Sequence, residues 1–169
     1  MNLLSIDPGP EVSGAVLLDT SENPPRVIQP WSSIGTKYLR HLCVDRQHLV
    51  GTAWHWIDHL AIEMISSYGM PVGREVFETV LWVGRLMECF GADDTSLIYR
   101  MDVKLALCGQ TRAKDANVRQ ALLDLYPRTG GGKTPQIGTA KQRGPLYGVA
   151  SHAWPALALG VTWTKEKNQ

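Results

Sequence analysis

Cysteine is scarce in this 169-residue sequence, and long apolar runs are missing. The three cysteines, Cys43, Cys89 and Cys108, are far apart and lack the paired spacing of a zinc motif, so we interpret them as buried apolar filler. No stretch approaches the ~20 apolar residues that span a bilayer. The first residues also lack the basic and apolar regions of a signal peptide. We therefore expect a cytoplasmic protein with no membrane partner.

The length and composition predict one globular domain over residues 1–169. The formal net charge of +1 is unevenly distributed, because residues 100–143 hold nine basic and three acidic residues, a net charge of +6. The rest of the chain therefore carries −5. Such an asymmetry favours one side that faces a polyanion, although a solvated basic surface without a ligand would have the same composition.

The first thirty residues predict a meander of three strands. Leu3–Asp7 is a short apolar run that stops at Pro8-Gly9-Pro10, as a buried strand would. Ser13–Asp19 and Arg26–Gln29 can return as the second and third strands across turns.

Helical and strand patterns alternate in the rest of the chain. Val44–His59 is interpreted as an amphipathic helix, weakened by Gly51, and Leu60–Ile65 as a strand that contains one carboxylate. Val72–Phe90 has helical spacing and ends at Gly91. The remaining predictions are a strand over Leu97–Met101, helices over Asp102–Leu107 and Asp115–Leu125, a long mobile loop over residues 128–145, and a helix over Ser151–Trp163 with Ser151 as N-cap. This order predicts a mixed α/β fold of three layers.

Two acids occupy positions that suggest chemistry. Asp7 ends an apolar strand, and Glu63 lies inside one, where an unpaired carboxylate would be costly. Carboxylates on neighbouring strands can hold Mg²⁺, which prefers oxygen ligands. Alternatively, Asp7 only opens the turn and Glu63 only forms a salt bridge. His152, near the start of the last helix, could bind a metal or move a proton, or be purely structural.

Four motifs in order resemble those of the RuvC Holliday-junction resolvases, within the RNase H-like superfamily. Leu3–Gly9 followed by Ser13–Val16 is similar to the first, and Ala61–Glu63 to the second. Gly109–Arg119 resembles the basic loop that leads into a helix. Ser151–Leu159 resembles the last motif, in which two acids, or a histidine and an acid, stand three apart before Ala-Leu-Ala. The resemblance implies an RNase H-like three-layer fold, with a mixed five-stranded sheet flanked by helices.

The resemblance also implies a metal site, with one departure. Asp7 and Glu63 would bind metal with His152 as the third ligand, and the site would hold two Mg²⁺ ions, for which Mn²⁺ can substitute. Pro155 stands where the family usually has Asp, and proline cannot bind a metal. Either three side chains and water suffice, or another acid substitutes, with Asp115 the first candidate for this catalytic role and Asp94 the second. This divergence suits a remote, phage-encoded relative acting in the cytoplasm of a bacterial cell or a phage-infected host.

The function that the resemblance implies is hydrolysis of branched DNA. A homodimer would grip a four-way junction and nick it symmetrically, leaving 5′-phosphate and 3′-hydroxyl ends. Val72–Phe90 is apolar enough to serve as the dimer helix, or simply to pack on the sheet. Tyr68 could stack on an unpaired base. The basic residues expected to contact DNA phosphates are Arg112, Lys114, Arg119, Lys133, Lys141 and Arg143.

Two other functions stay open. One is an RNase H-like nuclease that acts on an RNA–DNA hybrid or another branched substrate. The other is a junction-binding protein whose catalysis is weakened or lost, for which Pro155 is the reason. Retention of Asp7 and Glu63 speaks against the second, because a dead site has no need of buried acids.

Two further patterns do not fit their motifs. Gly130–Thr134 suggests a phosphate-binding P-loop, but Pro127 occupies the position of the first glycine and Pro135 follows at once, so ATP binding is not expected. His55 and His59 have the i, i+4 spacing of a helical zinc site, but no third ligand is evident in the sequence.

Overall fold

A five-stranded mixed sheet forms the centre of the molecule in the computed structural model, which describes residues 1–67, 69 and 71–167. The strands of the whole described chain are β1 (Asn2–Asp7), β2 (Val12–Asp19), β3 (Arg26–Gly35), β4 (Gln47–Val50), β5 (Ala53–Trp56), β6 (His59–Met64) and β7 (Thr95–Tyr99). The central sheet has the order β3-β2-β1-β6-β7, with β1, β6 and β7 parallel and the first three strands antiparallel. Strands β4 and β5 pair separately as a hairpin.

Helices cover both faces of this sheet. They are α1 (Thr36–Asp45), α2 (Arg74–Phe90), α3 (Arg100–Cys108), α4 (Asp115–Leu125) and α5 (Ala153–Lys167). One core lies under α1 and α2, and the other lies under α3, α4 and α5. The predicted three-layer α/β architecture is therefore confirmed. Within the described residues, none of the helices combines the length and hydrophobicity that a bilayer crossing requires.

The alternation of side chains along β1 decides which layer each residue joins. Leu4 and Ile6 are fully buried under α1 and α2, whereas Leu3 is buried on the α5 side. Each such side chain contributes about 1.5–3 kcal/mol of hydrophobic stabilisation. Asp7 is four residues after Leu3, so the two side chains lie on the same side of the strand. Asp7 therefore lies on the face that α3, α4 and α5 cover.

The predicted helix over Val44–His59 is wrong. A helix does form, but earlier, as α1, and it ends where Arg46 takes a left-handed conformation with φ of 53°. Gly51, with φ of +62°, lies between β4 and β5, in the left-handed region that suits glycine in a tight turn. His48 and His55 are cross-strand partners in this hairpin, so His55 and His59 do not share a helix face.

The segment 128–145 forms a long loop, as predicted, which closes on itself and is called the closed loop. Its backbone folds back on itself through hydrogen bonds such as Gly144 N to Ile137 O, at 3.0 Å. Gln136 is buried in the loop and donates to the carbonyl of Leu123 in α4 at 2.7 Å. A side chain at Gly130 would overlap backbone atoms of Pro135 and Gly144, so close packing of main chain explains the glycine content here.

Several other boundaries also differ from the sequence prediction, and two of them concern the site. Strand β7 begins at Thr95 and ends at Tyr99, so Arg100 opens α3 and does not continue the strand. The last helix begins at Ala153, and Ser151 has φ of 42° two residues before it, so Ser151 is not the N-cap. Helix α4 has the predicted bounds.

Candidate active site

Asp7 and Glu63 lie side by side at one edge of the sheet. Their predecessors Ile6 and Ile62 are partners in the parallel pairing of β1 with β6, so the two acids follow at the same level of neighbouring strands. Both strands end at this edge, and both carboxylates point to the α5 side. Their side chains are 23% and 12% exposed, respectively. The prediction that the first two motifs come together is therefore met by the geometry.

Burial makes this edge of the sheet unfavourable for negative charge. Desolvation raises the pKa of Asp7, although His152 and Arg100 oppose the rise. Desolvation also raises the pKa of Glu63, to about 7, with Arg100 opposing and Asp7 adding to the rise. Two carboxylates with raised pKa values in one partly buried site would be stabilised in their charged forms by a cation placed between them.

His152 approaches Asp7 from the residue before α5. Its Nδ1 lies 3.6 Å from Oδ2 of Asp7, and the imidazole is largely exposed. Gly14, the cross-strand partner of Asp7 in β2, has the backbone of His152 packed directly on its Cα. The first and last motifs of the sequence are therefore joined through a glycine contact. This places a proton-accepting ring at the solvent side of the carboxylates.

Arg100 is a site residue that the sequence analysis missed. Its Nη1 lies 3.5 Å from Oε2 of Glu63, and its Nη2 donates to Oδ1 of Asp115 at 2.8 Å. Lys104, one turn further along α3, is 3.9 Å from the same Asp115 oxygen. The sequence does carry a signal for this position, because the first residue after a parallel strand lies at the carboxyl edge of the sheet. The predicted strand over Leu97–Met101 included Arg100, so the residue was not placed at that edge.

Asp115, proposed from sequence as a substitute ligand, is held by Arg100. Its side chain is 75% exposed, and the hydrogen bond from Arg100 lowers the pKa of its carboxyl group. Asp94, the second candidate, lies before β7 at the opposite end of that strand and pairs with Arg46 at 2.8 Å. It is therefore not part of this site.

Pro155 lines a cavity of about 250 Å³ beside these residues, between α4 and the start of α5. Arg100 and Asp115 line it on one side, and the guanidinium of Arg119 stacks 4.8 Å from the ring of Trp154 on the other. The position where the resemblance implies an acid thus faces the same space as Arg100.

The predicted DNA-contacting residues fall into two groups. Arg112 and Lys114 are exposed directly before Asp115, and Arg119 borders the cavity, so these three lie next to the site. The second group is exposed in the closed loop, which follows α4 in the chain. It comprises Lys133, Lys141 and Arg143. Tyr68 lies outside the described residues.

The side chains at this edge supply two carboxylate ligands for a hard divalent cation, but no compact set of three. Mg²⁺ is commonly held by one or two carboxylates, with waters and substrate phosphate completing its shell, and Asp7 and Glu63 provide that pair. Across residues 1–67, 69 and 71–167, however, no three or more His, Cys, Asp or Glu side chains are grouped to hold one metal ion. His152 contacts Asp7 alone among the acids of the site at 4 Å or less.

The chain is similar to known proteins in its three-dimensional structure. No family model matches the chain, and no curated protein matches it in sequence. The structure of Thermus thermophilus RuvC matches with a TM-score of 0.66 at 15% identity, over 99% of this chain and 96% of that one. The fold is RuvC-like. T. thermophilus RuvC in complex with a Holliday junction substrate matches with a TM-score of 0.63 at 17% identity, over 96% of this chain and 92% of that one.

The RuvC-like fold supports the resemblance that the motifs indicated. Nearly all of both chains is covered, so the β1 to α5 order of the present chain has no large insertion relative to the solved structures. At such low identity the match establishes architecture, and the activity must be argued from the side chains of the site.

Proposed function

We propose that this protein is a metal-dependent endonuclease that nicks branched DNA, with the four-way junction as its substrate. The observation that carries the proposal is the pair of partly buried carboxylates, Asp7 and Glu63, side by side at the carboxyl edge of a RuvC-like sheet with His152 and Arg100 around them. A purely structural site would gain nothing from raised carboxyl pKa values.

Asp7 and Glu63 are the residues that would hold Mg²⁺, or Mn²⁺ in its place, with His152 as a third ligand or a proton acceptor. Bound there, the cation would supply Lewis-acid activation of water and phosphate. In the hydrolysis, the water oxygen bonds to phosphorus and the bond from phosphorus to the 3′ oxygen breaks. His152, exposed beside Asp7, is placed to take the proton that the water loses. The ends are a 5′-phosphate and a 3′-hydroxyl.

The exposed basic side chains supply the DNA contacts of this proposal. Arg112, Lys114 and Arg119 would hold the phosphates nearest the site, and Lys133, Lys141 and Arg143 of the closed loop would hold one arm of the junction. Such contacts position DNA without reading its sequence. The T. thermophilus protein with a similar fold was solved in complex with a Holliday junction substrate, which supports a branched ligand over plain duplex.

We also propose that the active form is a homodimer that pairs through α2. This helix exposes a row of large apolar side chains, of which Phe77 is 65% and Leu81 53% exposed. Leu81 and Val80 of this row border an open groove of about 700 Å³ between α2 and Arg40 of α1. Two symmetric cuts in one junction require a second copy of the chain, and we propose that this copy occupies the groove. Exposed apolar rows of this kind mark protein interfaces.

Pro155 favours one alternative, a junction-binding protein with weakened or no catalysis. The residue lines the cavity beside Arg100, where it offers no ligand atom. Binding would then persist through the basic surface while cutting fails.

The proposal is tested by cleavage of a labelled four-way junction, with plain duplex and an RNA–DNA hybrid as parallel substrates, in Mg²⁺ and in EDTA. Paired nicks near the branch point that require Mg²⁺ are expected. Tight junction binding without cutting in Mg²⁺ or Mn²⁺ would establish the alternative. Cleavage of the hybrid with the junction left intact would refute the junction substrate while retaining the nuclease.

A further inference from the structure

Arg100 places a fixed positive charge inside the carboxylate site. It is the first residue of α3, and β7 delivers it to the edge where Asp7 and Glu63 lie. The guanidinium spans two acids, 3.5 Å from Glu63 and 2.8 Å from Asp115. Only 20% of the side chain is exposed. A buried arginine between acids is a strong, permanent counter-charge, because arginine does not lose its proton in proteins.

The charge of the site favours one divalent ion over two. The site has a net charge of −1 when His152 is neutral. Its charged groups are three carboxylates and two cations: Asp7, Glu63, Asp115, Arg100 and Lys104. One divalent ion and one phosphate group would bring this cluster to neutrality. A second ion would leave two positive charges uncompensated in a partly buried site, which is costly.

Pro155 points to the same conclusion from the ligand side. In a two-ion site each ion needs its own oxygen ligands, and the ions lie about 3.5–4 Å apart. Residue 155 borders the cavity beside Arg100 but contributes no oxygen from its side chain. The guanidinium thus borders the same cavity as the position at which the resemblance implies an acid.

We propose that Arg100 takes the place of a second metal ion, so that the site works with one divalent cation and one guanidinium. This inference rests on the proposed nuclease function and specifies which positive charges act in its active site. Arg100 offers two parallel N–H groups, which match the oxygens of a phosphate. When the scissile phosphate arrives, exposed Asp115 gives up its bond and the guanidinium turns to the phosphate. It then stabilises the 3′ oxygen, which receives the electron pair of the broken bond and takes its proton from solvent water.

The number of bound ions tests this without any turnover. Mn²⁺ alone, titrated into the DNA-free wild-type protein and followed by electron paramagnetic resonance and calorimetry, should reach one ion per chain. The double variant Arg100→Ala, Pro155→Asp removes the guanidinium and restores a carboxylate, and it should bind two. Arg128→Ala, which removes an exposed arginine outside the site, should still bind one.

Kinetics provide the second readout. Arg100→Ala should lower kcat on the junction by about 100-fold or more, the scale for losing a group that stabilises transition-state charge. KM should change little, and Arg100→Lys should recover part of kcat because it keeps the charge. Equal kcat for Arg100→Ala and the wild type would overturn the role of the guanidinium.

The outcomes separate this inference from the function on which it rests. Two Mn²⁺ ions bound by the wild-type chain would overturn the single-ion site while leaving a metal-dependent nuclease intact. No Mn²⁺ binding and no metal-dependent cutting would refute the proposed function itself. The wild-type count does not depend on any variant folding correctly.

Discussion

The backbone of His152 rests on Gly14. An added Cβ at residue 14 would lie 2.6 Å from the Cβ of His152 and would overlap its carbonyl group. Since Gly14 is the cross-strand partner of Asp7, this contact sets how closely the start of α5 approaches the carboxylates. A position without a side chain thus decides where the imidazole of the site lies.

Gly14→Ala should therefore displace His152 from Asp7. We expect a destabilisation of about 2 kcal/mol, typical of forcing atoms into a packed position, and a clear loss of junction cleavage. Chemical denaturation and the cleavage assay measure the two effects. Gly35→Ala is the matched control, because nothing lies within 4 Å of its added Cβ. Equal activity of the Gly14 variant and the wild type would mean that this approach is not needed.

Asp7→Asn should abolish cleavage while junction binding persists. The substitution keeps the shape of the side chain but removes the charge that would hold the cation, and a loss of more than about 100-fold is expected. Gel-shift and cleavage assays on one labelled junction measure both properties. Asp124→Asn, an exposed acid of α4, should behave as wild type. Unchanged nicking by Asp7→Asn would remove this residue from the mechanism.

Glu63 should make the metal-free protein less stable as the pH rises. Burial raises its pKa from 4.5 to about 7 in the folded state, so the folded protein keeps a proton that the unfolded chain has already lost. The free energy of unfolding in EDTA should therefore fall by about 3 kcal/mol as the pH rises from about 4.5 through 7.

Denaturation across this pH range, for the wild type and Glu63→Gln, measures the effect. The neutral amide should flatten the dependence, and Mg²⁺ at pH 8 should stabilise the wild type but not the variant. Glu11→Gln, at an exposed position, serves as the control. A dependence that survives in Glu63→Gln would assign it to other groups.

Leu81→Asp should dissociate the proposed dimer. Leu81 projects from α2 with half of its side chain in solvent, and a carboxylate there would be buried by a second copy. Sedimentation velocity should show a dimer for the wild type and a monomer for the variant. Leu105→Asp changes an equally exposed leucine of α3 and should leave the dimer intact. A monomeric wild-type protein that still makes paired nicks would exclude this interface.

Lys133→Ala with Lys141→Ala should weaken junction binding and its salt dependence together. Each lost phosphate contact lowers the slope of log affinity against log salt by about 0.9, so a fall of about 2 is expected. Fluorescence anisotropy at several salt concentrations measures the slope. Lys37→Ala, an exposed lysine of α1 on the other layer, should leave the slope as it is. An unchanged slope in the double variant would place the closed loop outside the DNA contact.

The acids of the site could be predicted from sequence because their neighbours reveal burial. Glu63 interrupts an apolar run, and Asp7 ends one, so each position is unusual without any knowledge of the partner. The bounds of α4 were also predictable, since Asp115 starts it and Pro127 follows its end. Arg100 was not identified, because the predicted strand over Leu97–Met101 extends past Tyr99, where β7 ends, and so does not place Arg100 at the edge beside β6.

The error over residues 44–59 has a local cause. The spacing of Leu49 and Ile57 suggests one apolar helix face, yet Leu49 is exposed in a two-stranded hairpin and Ile57 is buried after its end. The actual helix α1 has a clear signal in buried Leu39, Leu42 and Cys43, which are three and four residues apart. A short apolar run does not by itself separate helix from strand, and Gly51 was the residue that indicated a turn.

The pairing of Ile6 with Ile62 has a consequence for how such a chain can diverge. Because side chains alternate along a strand, one residue inserted into β1 or β6 would turn Asp7 or Glu63 to the opposite layer. Insertions and deletions in these strands are therefore forbidden, while most identities are free to drift. Two chains can thus share this fold with few identical residues, as the 15% identity to T. thermophilus RuvC over 99% of this chain illustrates.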